Sequence, residues 1–181
     1  MKNIRYTLTF FSFWHCGSGQ SAGADVDALV VKDAAGLPYV PGRTVKGLLR
    51  DAAETLVRYG EGSAEMVEKV FGCFDGKDHA VQASAFFSDA TLSEAIKSRM
   101  DASLADNFYR SVTSTEIDAD GIANDKSLRK MEVVIPCTLT GTVLHLPDDC
   151  AELLEKAFQY VKRLGTGRHH GFGRCQFSME D

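Results

Sequence analysis

From Val45 to Val57 the apolar side chains Val45, Leu48, Leu49, Ala52, Ala53, Leu56 and Val57 recur at steps of three and four, the spacing of one stripe along an α-helix. Thr44 can cap its start and Gly60 can end it. Such a helix needs a partner surface, and the segments around it supply strands. Ile4, Tyr6, Leu8 and Phe10 alternate with Arg5, Thr7, Thr9 and Phe11, which predicts an opening strand over 4–14. Alternation returns at 83–88, and again through Met131, Val133, Ile135, Cys137 and Leu139 as one long strand. A short helix is expected over 63–70. A last helix carries Leu153, Leu154, Ala157, Phe158, Val161 and Leu164, with Asp148 or Asp149 as its cap. The tail from Phe172 to Ser178 reads as a closing strand.

The order strand, helix, strands, helix, strand is that of a split βαβ unit. It predicts an α+β fold with a ferredoxin-like (RRM-like) core. At 181 residues and 44% hydrophobic, the chain has material for one sizeable core, so residues 1–181 are expected to form a single domain. Between Ser111 and Lys130 the sequence turns polar, with charges of both signs and Gly121, which suits a protruding hairpin or loop. No apolar run is long enough to span a bilayer, and Thr7–Trp14 lacks the cleavage site of a secretory signal. The five cysteines are odd in number and widely spaced, without a metal-binding pair. A cytoplasmic protein with reduced thiols, and without a membrane partner, is the expectation.

A net charge of −5 argues against nucleic acid as a partner, but its distribution argues for one. Arg43, Lys46 and Arg50 share a stretch free of Asp and Glu, as do Lys162, Arg163, Arg168 and Arg174. The second stretch includes Gly165-Thr166-Gly167-Arg168-His169-His170-Gly171-Phe172-Gly173-Arg174, between the last helix and the last strand. Glycines let a backbone approach a phosphate closely, and arginines hold its oxygens; glycines also make tight turns, and both readings fit. The loop is not a dinucleotide fingerprint, which needs a strand before it and a helix after. The first stretch follows the turn Pro41-Gly42, so a helix start and basic side chains together favour an anion there. Phe11 and Phe13 are either exposed stacking surfaces or part of a strand buried on both sides.

The proline-glycine entry to a basic first helix and the terminal glycine-rich loop resemble the two hallmark motifs of the RAMP superfamily of CRISPR-associated proteins. His15-Cys16-Gly17-Ser18-Gly19, followed by Asp25-Val26-Asp27-Ala28-Leu29-Val30-Val31-Lys32-Asp33, is similar to the N-terminal third of type III (Csm/Cmr-like) backbone subunits. Phe71-Gly72 and Phe87-Ser88-Asp89-Ala90 resemble further landmarks, and Ser114–Arg129 resembles the thumb hairpin of the family.

The resemblance implies a guide-RNA-binding backbone subunit of an antiviral effector complex. Its implied partners are the CRISPR guide RNA, complementary target RNA, other effector subunits and repeated copies of itself. It implies RNA contacts at His15, Arg43, Lys46, Arg50, Gly165, Gly167, Arg168, His169, His170, Gly171, Gly173 and Arg174. Some such subunits cut the target RNA as endoribonucleases with Mg2+ or Mn2+, through an Asp after the first strand. Asp27 matches that catalytic and metal-holding position, with Asp25 as its near neighbour. Two other readings stay open: a guide-processing RAMP endoribonuclease using His15 as acid or base, and a non-catalytic ferredoxin-like scaffold.

Overall fold

A computed structural model describes residues 1–21, 26–74, 76, 80–122, 124 and 127–180. In chain order its elements are β1 (Lys2–Phe10), α1 (Gly42–Arg58), α2 (Ala64–Phe71), β2 (Cys73–Phe74), β3 (Ala80–Val81), β4 (Phe86–Phe87), α3 (Glu94–Lys97), α4 (Ala102–Ala105), β5 (Tyr109–Ser114), β6 (Arg129–Val134), β7 (Thr138–Leu146), α5 (Ala151–Tyr160) and β8 (Cys175–Glu180). The main sheet runs β4-β7-β1-β8, every neighbouring pair antiparallel. Among the described residues, β2 forms a ladder with β3 alone and β5 with β6 alone.

Period-two patterning decides which face of the main sheet is dry. Tyr6, Leu8 and Phe10 of β1, Leu139 and Val143 of β7, and Cys175 and Phe177 of β8 are buried with Val45, Leu49 and Ala53 of α1 and Leu154, Ala157 and Phe158 of α5. Phe158 lies 5.3 Å from the ring of Tyr6 and 5.1 Å from that of Phe177, tilted contacts that favour aromatic rings. Each such side chain contributes roughly 1.5–3 kcal/mol by leaving water. The glycine at position 141 is forced by packing: opposite Tyr6 in the β1–β7 register, it has the Tyr6 ring where a side chain would stand. The Tyr6 hydroxyl is buried without a hydrogen-bond partner among the described residues. Burial first, and then the charge of Asp89, push its pKa up.

The start of α1 differs from expectation. The helix begins at Gly42, and Thr44 lies inside its first turn. Its cap comes from far along the chain: the Gly42 N–H donates to Asp89 Oδ1 at 2.7 Å. Gly42 itself is required, because a Cβ there would collide with the Phe87 carbonyl. α2 matches the sequence reading, with the Ser63 hydroxyl accepting from Met66 N–H. α5 is not capped by either expected aspartate. Asp148 pairs with the N-terminal ammonium at 2.8 Å, and Asp149 with Lys69 at 2.7 Å. α5 also stops at Tyr160, so buried Leu164 lies beyond it.

The expected long strand over 131–139 is two strands, β6 and β7, broken at residues 135–137. Pro136 has no N–H to give a ladder. Its neighbours bond sideways instead: Ile135 N–H donates to Phe108 O, and Phe10 N–H to Cys137 O, both at 2.9 Å. The strand expected over 4–14 likewise leaves the main sheet after Phe10. Buried Trp14 then pairs with Val134 of β6 and stacks on Phe10 with ring centroids 4.3 Å apart. The β5–β6 hairpin is thereby joined to the body at its base.

Candidate nucleic-acid interface

Three segments far apart in sequence meet in one open groove of about 1170 Å³. One wall is the β5–β6 hairpin, from Val112 to Glu116 and from Arg129 to Met131. Asp27 and Ala28 line it, and Thr166, Gly167, His170 and Phe172 of the glycine-rich loop contribute too. Residues 26–30 are held beside β6 by backbone pairing: Ala28 bridges Met131, and Asp27 N–H donates to Lys130 O at 2.8 Å.

Asp27 is exposed, and one of its two carboxylate oxygens is engaged: Lys130 N–H donates to Oδ2 at 2.7 Å. Oδ1 has no hydrogen bond or ion pair with a described residue, and Glu116 lines the same groove. No group of three or more His, Cys, Asp or Glu side chains among the described residues is arranged to hold a metal. Asp25 lies outside the described residues.

His15 occupies a different kind of place from an exposed contact or a free acid. It is 3% exposed, with Nδ1 2.7 Å from Glu132 O. A carbonyl only accepts, so Nδ1 carries the proton. Its backbone oxygen accepts Thr166 N–H at 2.9 Å, and Gly165 packs so closely on that carbonyl that a side chain at 165 would collide with it. His15 therefore ties hairpin to loop from within.

Glu132, which nothing in the local sequence singles out, completes this junction. Its Oε2 accepts Val30 N–H at 3.1 Å, and its Oε1 pairs with Lys32 at 2.8 Å. Lys32 in turn lies 3.8 Å from the centre of the Tyr109 ring. Sequence reasoning also passed over Arg129 and Lys130 as groove cations. They lie in the polar stretch read as a protruding hairpin or loop and likened to a thumb, and pairing of the Asp27 segment with β6 brings the Lys130 backbone against Asp27, with Arg129 lining the same groove.

The glycines of the loop divide by task. Gly173, at φ +67°, sits so close to Leu164 O that a side chain would collide with it, and Gly167, at φ +74°, lies against the Phe172 ring. Gly171, at φ +87°, has nothing within 4 Å of a Cβ position. Gly165, Gly167 and Gly173 are thus needed by the fold of the loop itself, while Gly171 leaves open space. Arg168, His169, His170 and Arg174 are all exposed.

On α1, Arg43 is exposed and Lys46 half-buried; burial first, then Arg50, pull the pKa of Lys46 down. Arg50 is paired with Glu54 at 2.8 Å, so part of the basic edge read from the sequence is neutralised. The α1 N-terminus, expected to attract an external anion, already holds the Asp89 carboxylate.

A model of the RAMP superfamily matches residues 7–176, and the chain belongs to that superfamily. In fold it is similar to a chain of the cryo-EM structure of the Type III-B Cmr-beta bound to cognate target RNA. That match has a TM-score of 0.75 at 10% identity, over 99% of this chain and 97% of the other. It is also similar to a chain of the Type III-B Cmr-beta structure in the apo state, with a TM-score of 0.71 at 12% identity, over 98% of this chain and 96% of that one. No curated protein sequence matches it. No helix among the described residues is long and apolar enough to cross a membrane.

Proposed function

We propose that this chain is an RNA-binding backbone subunit of a type III-like CRISPR effector complex, with guide and target RNA as ligands and other effector subunits, including further copies of itself, as neighbours. The observation that carries the reading is the groove in which hairpin, Asp27 and glycine-rich loop converge, in a chain of the RAMP superfamily. Its fold likeness to chains of Type III-B Cmr-beta structures, one of them bound to target RNA, supports the choice of complex.

The body is read as a ferredoxin-like core because β1-α1-β4-β7-α5-β8, with sheet order β4-β7-β1-β8, follows the split βαβ arrangement. The β5–β6 hairpin is read as the thumb, because it forms a two-stranded sheet of its own outside the main sheet and is tied to the body through β6 by isolated bridges to Trp14 and Ala28. Arg129 and Lys130 bring positive charge to a groove whose other lining mixes hydroxyls, the Asn124 amide, the His170 ring and apolar side chains with the two carboxylates Asp27 and Glu116. Their role is to hold phosphates, while the exposed hairpin reaches into the guide–target duplex.

Target cleavage through Asp27 is the further part of this proposal. A divalent ion such as Mg2+ is commonly held by one or two carboxylates together with phosphate oxygens and water. Asp27, with Oδ1 free of described partners, offers one such donor, and Glu116 lies in the same groove. Bound there, the ion would stabilise charge developing on the scissile phosphate. The chain's own part is to fix Asp27: Lys130 N–H holds Oδ2 and orients the carboxylate toward the groove.

The test is RNA binding by the assembled complex across a salt series. Affinity for guide RNA should fall steeply with salt, since phosphate contacts release counterions, and Arg129→Ala with Lys130→Ala should flatten that dependence. Asp27→Ala should leave binding intact and abolish cleavage of complementary RNA in Mg2+ or Mn2+. No RNA binding by the wild-type complex would overturn the reading. A wild-type complex that binds but never cuts, or an Asp27→Ala complex that cuts at the wild-type rate, removes the catalytic part alone.

A further inference from the structure

The glycine-rich loop also borders a separate hollow of about 520 Å³, lined by Arg163, Arg168 and His169, none of which lines the groove just described. Beyond the end of β1, the β1–β8 pairing continues for one more step, with Phe11 N–H donating to Arg174 O at 2.8 Å. On its other side Arg174 bridges Arg163 in antiparallel register, flanked by Leu164 N–H to Gly173 O and Cys175 N–H to Lys162 O, both at 2.9 Å. Residues directly opposite in antiparallel strands point to the same face. Arg163, Arg174 and Phe11 therefore form one row across three chain segments. Because the neighbouring pair Phe10 and Cys175 points into the core, the row points outward.

Two features make this row unusual. Like charges directly opposite one another destabilise a pair of strands, yet neither Arg163 nor Arg174 has a carboxylate partner among the described residues. Arg163 donates to the Arg168 carbonyl instead, which fixes its head beside the loop. An anion between the two guanidinium groups would relieve the repulsion. The third member is an aromatic ring: Phe11 is 50% exposed, with the Arg174 guanidinium 5.8 Å from its centre. Next to a phosphate held by these arginines, the exposed ring offers a nucleobase a stacking surface.

We propose that Arg163, Arg174 and Phe11 form a nucleotide subsite for single-stranded RNA, the two arginines holding a backbone phosphate and Phe11 stacking the adjoining base. This rests on the reading of the chain as an RNA-binding subunit, and it adds contacts outside the hairpin groove. The subsite tolerates any base, because stacking uses the face of the ring rather than its edges.

The test compares two oligonucleotides of equal length, one of normal single-stranded RNA and one with abasic positions throughout, titrated against the full chain. Phe11→Ala should weaken binding of normal RNA about tenfold, within the range for losing one base–aromatic stack, and leave the abasic strand unaffected. Phe11→Trp should restore affinity for normal RNA. Arg163→Ala should weaken both strands and lower the salt dependence by roughly the 0.7 expected for one phosphate on a single strand, whereas Phe11→Ala should leave that slope unchanged. Both side chains are exposed, and unchanged circular dichroism verifies that each variant folds. If the wild type binds RNA and Arg129→Ala with Lys130→Ala weakens it while Phe11→Ala and Arg163→Ala do nothing, this subsite is wrong and the groove stands. An equal loss on both strands from Phe11→Ala overturns the stacking role. No binding by the wild type overturns the reading on which the subsite rests.

Discussion

In β1 and β7 alternate side chains are sealed between sheet and helices, whereas along β5 even Tyr109 and Val112 are only partly covered and the other four residues are exposed. The body spends its apolar residues on a core that includes Tyr6, Leu8, Leu139, Phe158 and Phe177. The hairpin relies on ladder hydrogen bonds and on its attachment through Trp14, Ala28 and His15. Stability therefore resides in one region, while the exposed polar surface is concentrated in the other. Changes in the body should alter folding, and changes in the hairpin and loop should alter binding.

The largest effect expected from that contrast is at Phe158, which is 2% exposed and touches two other rings. Phe158→Ala should cost about 3–5 kcal/mol in urea denaturation, the range for deleting a buried aromatic side chain. A cost below about 1 kcal/mol would mean that the body lacks the tight core assigned to it.

The loop sharpens the contrast on a smaller scale, because it contains both kinds of glycine. Gly173→Ala should cost about 1–3 kcal/mol for overpacking against Leu164 O, added to about 1–2 kcal/mol for holding a side chain at positive φ. Gly171→Ala carries only the second cost, since it faces open space. Thermal melts of the two variants should separate in that order. Equal losses would refute the division of the loop into packed and open glycines.

Removing residues 115–127 from the hairpin, with a short glycine linker in their place, should leave the body folded. The melting temperature should move by no more than about 2–4 °C, equivalent to about 1 kcal/mol for a chain of this size, while binding of a guide–target duplex weakens. Unfolding of the shortened chain would show that the hairpin is part of the structural core.

A separate effect is set by pH. Burial pushes the Cys137 thiol up to about 11 and the Cys175 thiol up to about 12, from an ordinary value near 9. A thiol whose folded pKa is raised binds its proton more tightly in the folded state than in the unfolded chain. Its contribution is complete below pH 9 and is lost as pH rises toward 11 and 12. Urea midpoints should fall over that window, and Cys175→Ala should flatten the upper part of the fall. A midpoint that does not move from pH 9 to 12 would show both thiols in contact with water.

The elements that read correctly are those whose pattern is local. The α1 stripe, the Ser63 start of α2, the alternation of β1 and the polar stretch that became the hairpin each need only a few neighbouring residues to be recognised. β6 and β7 were merged because Met131, Val133, Ile135, Cys137 and Leu139 keep period two straight through the break. Periodicity records which side is apolar, not whether the next strand pairs with the same partner. Caps failed for a similar reason: Thr44 is a local candidate, but the oxygen that reaches Gly42 N–H belongs to Asp89, 47 residues away.

The sequence by itself determined β1, α1, α2 and the last helix, the two basic segments, the glycine-rich loop and the solvated stretch between Ser111 and Lys130. All of these depend on residue type and spacing along one stretch of chain. Only the tertiary structure decided that His15 is buried while Phe11 is exposed, and that Arg163 and Arg174 stand side by side. It also decided that Asp27 shares a groove with Arg129, Lys130 and His170. Burial and cross-strand neighbours depend on which segments lie against one another, and pairing over a hundred residues of separation leaves no periodic trace in either segment alone.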